Sequence, residues 1–254
     1  MKIQDSRIII DPIKNPKKIT ATKLSGILGI GTSAKYNTPF QIWCDITRVY
    51  PKPFEENKYT IAGQAIEPKQ LQYFRDFYKV PNLVTPEEKY GPSLKHIWDF
   101  FPDEPIFGGK WDSITVEQDN PSKVRRIIEC KTAQEKKRDQ WQIGIPEDYK
   151  VQACMYATLL GVDGITYIVS FLKPKDYDDP GSFVLNQENT ILKQLFISRD
   201  YPDYQPAIIA KAEKWWSDHV LTGVSPMYDA NNTNDIKIVT ELLKTMAPEE
   251  IRLI

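Results

Sequence analysis

The chain has 254 residues, of which 41% are hydrophobic and 26% charged, and its net charge of -1 does not indicate a strongly basic polyanion binder. No apolar run approaches the roughly 20 residues that span a bilayer, and charges interrupt the first residues where a signal peptide would be apolar, so we expect a cytoplasmic protein without membrane association. Three widely separated cysteines, Cys44, Cys130 and Cys154, argue against a disulfide framework and against a zinc or iron–sulfur cluster.

The first part of the chain predicts helices. Thr20 is a suitable N-cap for a short helix over residues 21–28, and a second helical pattern covers residues 39–49. Apolar residues at helical spacing predict a long third helix over residues 59–78, which Pro68 should kink or restart.

The middle of the chain predicts two strands, a helix and a third strand. The strands cover residues 106–117 and 123–131 and are joined by the turn D-N-P-S at 119–122. Proline and two acids open a helix at residue 146 that ends before Gly161, and the β-branched run I-T-Y-I-V-S-F-L follows as a buried strand.

The C-terminal part predicts helices from about Glu188, over residues 207–221 and over residues 235–246. The second of these carries Trp215 and Trp216, which we interpret as core residues, with base stacking as the alternative. This order of elements predicts an α/β fold with a central mixed β-sheet flanked by helices. Because no proline- or glycine-rich linker divides the chain, we expect a single domain over residues 1–254, with a C-terminal helical tail at about 232–254.

Charged residues gather at the end of the second predicted strand. Side chains alternate along a strand, so Glu129 and Lys131 share one face while Cys130 points to the other. If the turn closes a regular hairpin, Asp112 lies opposite Glu129, and two carboxylates converge beside one lysine. Such carboxylates repel each other unless a cation such as Mg²⁺ binds between them. On these residues alone, a salt-bridge cluster on a solvated face remains the alternative.

Several motifs resemble a known family. The pattern G-K-W-D…I-I-E-C-K resembles the PD-(D/E)XK nuclease core, with Trp111 in place of the proline. The stretch I-T-A-T-K-L-S-G-I-L-G-I-G, then G-Q-A-I-E-P, Y-K-V-Q-A-C-M-Y and E-K-W-W-S-D-H-V-L-T-G-V-S-P resemble, in order over about residues 18–226, the YqaJ-like viral recombinase family that includes the phage lambda exonuclease. The resemblance implies a restriction-endonuclease-like core and a nuclease domain.

The resemblance also implies roles for particular residues. Asp112, Glu129 and the backbone carbonyl of Cys130 would bind the metal ion, and Glu67 would add a third carboxylate. Lys131 would serve the attacking water.

Other residues would complete the site or bind DNA. Gln152 would hydrogen-bond near the lysine or the phosphate, with an ordinary helix-surface position as the alternative. The predicted DNA-binding residues are Thr22, Lys18, Lys110, Tyr149 and Tyr156. For Tyr149, core packing is an equal alternative. The arginine that the family places shortly before Thr22 is replaced here by Asn15, which puts the mode of 5′-phosphate binding in doubt.

The resemblance implies a Mg²⁺-dependent exodeoxyribonuclease, in which Mn²⁺ could substitute, that resects double-stranded DNA ends 5′ to 3′ for phage-type single-strand annealing recombination. It further implies a homo-oligomer, a trimeric ring, a single-strand annealing protein as partner, and the host-cell cytoplasm if a phage or prophage encodes the chain. The alternatives are a PD-(D/E)XK single-strand exonuclease or endonuclease in DNA repair or defence, and a non-catalytic DNA-binding protein.

Overall fold

The computed structural model describes residues 1–11, 13–31, 37–53 and 55–246. The chain divides into two compact units, which consist of Met1–Pro53, Pro102–Gly108 and Pro206–Ile254, and of Phe54–Phe101 and Gly109–Gln205. Helices and strands are numbered in chain order. The prediction of a single domain is not tested by this division and stays a prediction.

The first unit combines short strands with helices. β1 pairs antiparallel with β2, and β3 pairs parallel with β5. Its elements are β1 (Lys2–Gln4), β2 (Arg7–Ile9), β3 (Ile19–Thr20), α1 (Ala21–Ile27), α2 (Pro39–Ile46), β5 (Phe107–Gly108) and α9 (Thr233–Thr245). The tail helix α9 begins two residues earlier than predicted, and residues 247–254 of the predicted tail lie outside the described residues.

The second unit is built on a five-stranded sheet. Its elements are α3 (Lys58–Phe77), β4 (Leu83–Val84), α4 (Pro86–Tyr90), β6 (Ser113–Val116), β7 (Val124–Gln134), α5 (Arg138–Ile143), α6 (Glu147–Leu160), β8 (Gly164–Leu172), β9 (Thr190–Phe196) and α7 (Ile197–Asp200). The strand order is β4-β6-β7-β8-β9. β7 and β8 are parallel and the other pairs antiparallel, so the predicted α/β fold with a mixed sheet is confirmed. A further helix, α8 (Tyr204–Trp215), begins in this unit and continues into the first.

Helices cover both faces of this sheet. On one face, Leu71 and Phe74 of α3 pack against Ile128 and Ile168. On the other face, the hydroxyl of Tyr167 donates to the backbone carbonyl of Tyr149 in α6 at 2.8 Å. Every residue of β8 is buried, as a central strand covered on two sides requires. Each large apolar side chain buried here stabilises the fold by about 1.5–3 kcal/mol, so the sheet is a firm base for the site.

The long helix α3 begins at a capping box. The Asn57 side chain accepts from the backbone of Thr60, whose hydroxyl accepts from the backbone of Asn57. The helix continues through Pro68, so the restart considered from the sequence is wrong. Pro68 and Gln64, one turn earlier, are both exposed, and water can therefore bind the carbonyl that lacks a partner.

The predicted hairpin is present with two differences. Ser113 pairs with Ile128 and Thr115 with Arg126, which is the predicted register. A bulge then shifts the pairing so that Val116 faces Val124, one residue away from the predicted turn register. The predicted strand over 106–117 is also wrong in its length: it is interrupted at Gly109, where φ is 144° and a Cβ atom would lie 2.7 Å from the Tyr156 hydroxyl.

The C-terminal half contains an edge strand in place of a predicted helix. The helix predicted from Glu188 is wrong, because residues 190–196 form the edge strand β9, paired antiparallel with β8. Trp215 and Trp216 are buried, which agrees with their interpretation as core residues. None of the described helices is long and apolar enough to cross a membrane.

Candidate active site

The charged pair lies in the middle of β7, which continues to Gln134, three residues beyond the predicted strand end at Lys131. Glu129 and Lys131 form an ion pair with Nζ and Oε2 2.8 Å apart, and their side chains are 1% and 14% exposed. Cys130 between them packs on the opposite face beside Leu71 and Phe74 of α3. The predicted alternation is confirmed, and the alternative of a solvated salt-bridge cluster is wrong for this pair, because both charged groups are largely shielded from water.

Asp112 lies directly before β6, opposite the middle of β7. Its Oδ2 accepts a hydrogen bond from the backbone N–H of Cys130 at 2.7 Å. That bond continues the register in which Ser113 faces Ile128, so the hairpin itself brings the carboxylate of Asp112 beside Glu129. The convergence expected from the sequence is therefore present.

Glu67 approaches the same point from α3. Burial raises the pKa of Glu67 to about 8, and the charges of Asp112 and Glu129 add to this effect while Lys131 opposes it. Burial likewise raises the pKa of Glu129 to about 7 against the opposing effect of Lys131, and raises the pKa of Asp112. Burial alone would lower the pKa of Lys131, but the charges of Glu129 and Asp112 outweigh burial and raise this pKa. Three acids thus share one lysine, and their raised pKa values mean that the cluster favours a bound proton or an added cation.

The buried side-chain amide of Gln70 holds α3 against β7 and β8. Gln70 is 1% exposed, and its Nε2 donates to the carbonyls of Lys131 at 2.9 Å and Ile168 at 3.0 Å and to the hydroxyl of Ser170 at 2.9 Å. Gln70 follows Glu67 by three residues, so both project from the same side of the helix. Gln70 was not among the predicted site residues, although its position one turn after Glu67 was a usable signal.

A second residue of the site was also missed. Glu87 of α4 lies near enough to raise the pKa of Glu67, although Asp112 is the larger electrostatic influence. Glu87 follows Pro86 in the first turn of a five-residue helix that begins at a capping box between Thr85 and Glu88, a short sequence pattern. Its side chain is exposed, so it contributes to the field around the buried acids rather than to their packing.

One face of α6 covers the lysine. The Nζ of Lys131 lies 5.3 Å from the ring centroid of Tyr149, which itself stacks on the buried Trp141 at 5.3 Å. One and two turns further along, this face carries Gln152 and Tyr156. Tyr156 donates its hydroxyl to the carbonyl of Lys110 at 2.7 Å, two residues before Asp112. Gln152 is half-buried, and its side chain forms no hydrogen bond within the described part of the chain.

A pocket of about 320 Å³ opens onto this cluster. It is lined by Asn57, Tyr59, Thr60, Gly63, Glu67, Gln70, Cys130, Lys131, Thr132 and Tyr149. Its mixed polar and apolar lining fits a substrate with charged groups. A larger groove of about 720 Å³ along α3, between Pro68 and Phe183, is mostly apolar and contains none of the predicted site residues. The smaller pocket is therefore the candidate, because Glu67, Cys130, Lys131 and Tyr149 line it, although Asp112 and Glu129 are not part of its lining.

The predicted DNA-binding residues are divided between the two units. Lys110 is an exposed residue of the second unit, with Nζ 5.8 Å from the ring centroid of Phe100. Lys18 and Thr22 belong to the first unit, where Thr22 is exposed at the start of α1 and its hydroxyl lies 3.1 Å from that of Thr20. The second unit thus brings together Glu67, Asp112, Glu129, Cys130, Lys131, Tyr149, Gln152 and Tyr156. The DNA contacts of Lys18 and Thr22 stay predictions.

The donor atoms suit a hard divalent cation. Within the described ranges, no three His, Cys, Asp or Glu side chains are already arranged around one metal position. Lys131 donates to Glu129, and the backbone N–H of Cys130 donates to Asp112. However, Oε1 of Glu129 is buried and finds no donor among the residues that the structure describes. A buried carboxylate oxygen without a partner is costly, and carboxylate and carbonyl oxygens are the ligands that Mg²⁺ and Mn²⁺ prefer. The residues present therefore fit such an ion.

Comparison with known proteins gives a family and a fold. Residues 14–162 match the YqaJ-like viral recombinase domain. The chain is 26% identical over 247 residues to the uncharacterized protein MG373 of Mycoplasma genitalium, covering 83% of each, and 27% identical over 226 residues to the uncharacterized protein YqaJ of Bacillus subtilis, covering 87% of this chain and 59% of that one.

Solved exonuclease structures share the fold. The alkaline exonuclease LHK-Exo of Laribacter hongkongensis superimposes with a TM-score of 0.52 at 13% identity, covering 91% of this chain and 92% of that one. A phage-related exonuclease of Haemophilus somnus 129PT gives a TM-score of 0.52 at 14% identity, covering 80% and 95%. LHK-Exo in complex with dAMP gives a TM-score of 0.51 at 14% identity, covering 90% and 91%. The restriction-endonuclease-like core expected from the sequence agrees with this shared phage-exonuclease fold.

Proposed function

The chain belongs to the YqaJ-like viral recombinase domain family, and on that premise we propose that it is a divalent-metal-dependent exodeoxyribonuclease. It would resect the ends of double-stranded DNA 5′ to 3′ and leave a single strand for annealing-type recombination. The observation that carries this proposal is the convergence of Glu67, Asp112 and Glu129 around the single cation of Lys131. The family and the exonuclease fold neighbours indicate a nuclease of phage type, and the direction and the biological role are the finer part of the proposal.

The metal ion would be held by the carboxylates of Glu67, Asp112 and Glu129 and by the backbone carbonyl of Cys130. When bound, it would polarise the scissile phosphate and make water a better nucleophile at neutral pH. Magnesium suits this all-oxygen donor set, and manganese should substitute because it accepts the same ligands.

The protein's own groups would do the remaining work. Lys131 stays protonated, because two acids raise its pKa, so its ammonium group can orient the attacking water or stabilise the charge that develops on the phosphate. Tyr149 and Trp141 fix the lysine from the side of α6. Gln152, on the same helix face and without a partner among the described residues, is available to donate to a phosphate oxygen.

The substrate would be a DNA end. Lys110 is exposed two residues before Asp112, and we propose that it contacts the strand being cut. Tyr156 is 4% exposed and donates its hydroxyl to the carbonyl of Lys110, so it would position Lys110 rather than bind the DNA directly. Lys18 and Thr22 would contact the DNA from the first unit. LHK-Exo has been solved with dAMP, which is a deoxynucleoside monophosphate of the kind that exonucleolytic cleavage releases. This supports mononucleotides as the product here.

The test compares end-labelled linear duplex, nicked circular and closed circular DNA with Mg²⁺, with Mn²⁺ or with EDTA. Mononucleotides should appear from linear duplex DNA only, and only with a metal ion. Asp112→Ala and Lys131→Ala should remove this activity, whereas Glu117→Gln, which removes an exposed partner of Lys123 on the same hairpin, should keep it. Full activity in Lys131→Ala would overturn the proposed mechanism.

Other results would select the alternatives. Cleavage of closed circles would indicate an endonuclease, and preference for denatured DNA would indicate a single-strand exonuclease. DNA binding without cleavage under any metal condition would indicate a non-catalytic binding protein. Labels placed separately at the 5′ and 3′ ends determine the direction of cleavage.

We also propose a homo-oligomer, a trimeric ring by analogy with the family, a single-strand annealing protein as partner, and action in the cytoplasm. Sedimentation velocity at several concentrations measures the oligomeric state directly. A concentration-independent monomer would contradict the ring.

A further inference from the structure

Among the residues that the structure describes, the most exposed aromatic side chain lies on the segment before Gly109. Trp98 is 86% exposed, whereas Trp43, Trp111, Trp141, Trp215 and Trp216 are each at most 8% exposed. A single exposed apolar side chain needs no explanation by itself. Trp98 differs because its backbone is held in place, it is connected to the site, and exposed lysines lie on the neighbouring parts of the chain.

Hydrogen bonds hold the backbone on both sides of Trp98. Ile97 donates its N–H to the carbonyl of Leu94 at 3.0 Å. On the other side, Oδ1 of Asp99 accepts from the backbone N–H of Phe101 at 3.1 Å and of Gly109 at 2.8 Å. The indole is therefore presented to solvent from an ordered backbone, which reduces the entropy lost when a ligand stacks on it.

The same bonds attach this segment to the chain that leads to Asp112. Phe100 donates its N–H to the carbonyl of Gly109 at 3.0 Å, and its ring packs on that of Trp111 with centroids 4.9 Å apart. Since consecutive Cα atoms are 3.8 Å apart, these connections keep the Cα of Trp98 within about 25 Å of the Cα of Asp112. That distance corresponds to only about seven nucleotides along a strand.

Three lysines lie on the segments around Trp98 in the chain. Lys89, Lys95 and Lys110 are exposed, and none of them forms a salt bridge with another residue in the described part of the chain. The acid nearest in sequence, Asp99, directs one carboxylate oxygen to backbone N–H groups. Uncompensated lysines beside an exposed aromatic ring match a nucleotide, because they attract the phosphates while the ring stacks on the base.

We propose that Trp98 is a base-stacking residue that binds a nucleobase of the DNA substrate near Asp112, Glu129 and Lys131. The inference rests on the proposed function for the identity of the substrate. Stacking suits resection because every base presents a π-face, so the contact holds a strand without selecting a sequence. The flanking lysines would bind the phosphates on either side of the stacked base.

The unequal exposure of the tryptophans makes the test direct. In the full chain with EDTA present, acrylamide should quench mainly Trp98, and a short DNA duplex or single strand should protect it. Trp98→Phe should remove the DNA-dependent signal but bind DNA within about threefold of wild type. Trp98→Ala should bind about tenfold or more weakly, because stacking on the ring is lost. Val184→Ala, which shortens another exposed apolar side chain, should bind like wild type.

The outcomes separate this inference from the proposed function. If DNA binds but leaves the quenching of Trp98 unchanged, or if Trp98→Ala keeps wild-type affinity, the stacking role is overturned while metal-dependent cleavage is unaffected. If DNA protects Trp98 but no metal ion produces cleavage, the nuclease proposal fails and the stacking contact is retained. Absence of any DNA binding would overturn the inference as well.

Discussion

Each unit contains a cluster of lysines and acids, and the two clusters combine them in opposite proportions. In the first unit, Asp45 accepts from Lys17 at 2.7 Å and also from Lys23, so two cations serve one acid. Burial alone would raise the pKa of Asp45, but the hydrogen bonds from Lys17 and Lys23 outweigh burial and lower this pKa. In the second unit, Glu67, Asp112 and Glu129 share Lys131, and the pKa of each acid is raised.

Lysines and acids can therefore serve either the stability of the fold or the function of a site. The group around Asp45 satisfies its carboxylate, and its folded state favours the charged form. The group around Lys131 leaves negative charge and a buried oxygen of Glu129 without compensation, so its folded state favours a proton or an added cation. We expect the first group to behave as a structural ion pair and the second as a site that a divalent cation completes.

The largest effect should follow from Asp112→Asn. The amide oxygen can still accept from the N–H of Cys130, so the fold should persist while a charged metal ligand is lost. We expect metal-dependent DNA cleavage to fall about a thousandfold or more, which corresponds to several kcal/mol of transition-state stabilisation. Release of labelled mononucleotides measures the rate, and circular dichroism checks the fold. Near wild-type cleavage would break the functional half of the comparison.

Gln70→Leu tests whether neutral contacts, rather than charge, hold the site. The substitution leaves the carbonyls of Lys131 and Ile168 and the hydroxyl of Ser170 without their shared donor. We expect the free energy of unfolding to fall by about 2–3 kcal/mol, measured by urea denaturation. Gln72→Leu on the exposed side of the same helix is the matched control and should change stability by less than about 0.5 kcal/mol. An unchanged midpoint for Gln70→Leu would show that the amide does not anchor α3.

Asp45→Asn should lower stability by about 1 kcal/mol at pH 7, a modest value because the pair is partly exposed to solvent. The folded pKa of Asp45 is depressed, so its contribution is present above the unfolded value near 3.8 and is lost as the pH falls through the folded pKa. Denaturation of wild type and variant should therefore differ most at neutral pH and converge in strong acid. A difference that grows on acidification would contradict a depressed pKa for Asp45.

Glu67→Gln should have the smallest effect on stability and the opposite tendency. Burial raises the pKa of Glu67 to about 8, so at pH 7 with EDTA present the glutamine replaces a carboxyl that mostly holds its proton. The free energy of unfolding should therefore stay within about 0.5 kcal/mol of wild type or rise. The same substitution should reduce metal-dependent cleavage, because a proposed ligand is lost. A clear loss of stability without metal would mean that Glu67 is a satisfied structural acid like Asp45, and the contrast between the two groups would fail.

Local patterns predicted much of the fold and the core of the site. The capping residues and helical spacing located α1, α3 and α6 to within a few residues, and the alternation of side chains placed Glu129 and Lys131 together. The edge strand β9 was missed, because its pairing with β8 is a contact between distant parts of the chain. Gln70 was missed for the same reason, since all three of its acceptors lie far away in sequence.

By itself, the sequence determined which faces of the strands the charged residues occupy, because a strand has a two-residue period and a hairpin turn sets its register. It also carried the ordered motifs that indicated the family. These motifs also implied that Glu67 joins the cluster, and its raised pKa agrees with that. The packing of distant segments, in contrast, decided that Gln70 anchors the helix and that Glu129 has a buried oxygen without a partner among the described residues. Burial and electrostatic coupling depend on segments distant in the chain that pack together, and no local period encodes which segments those are.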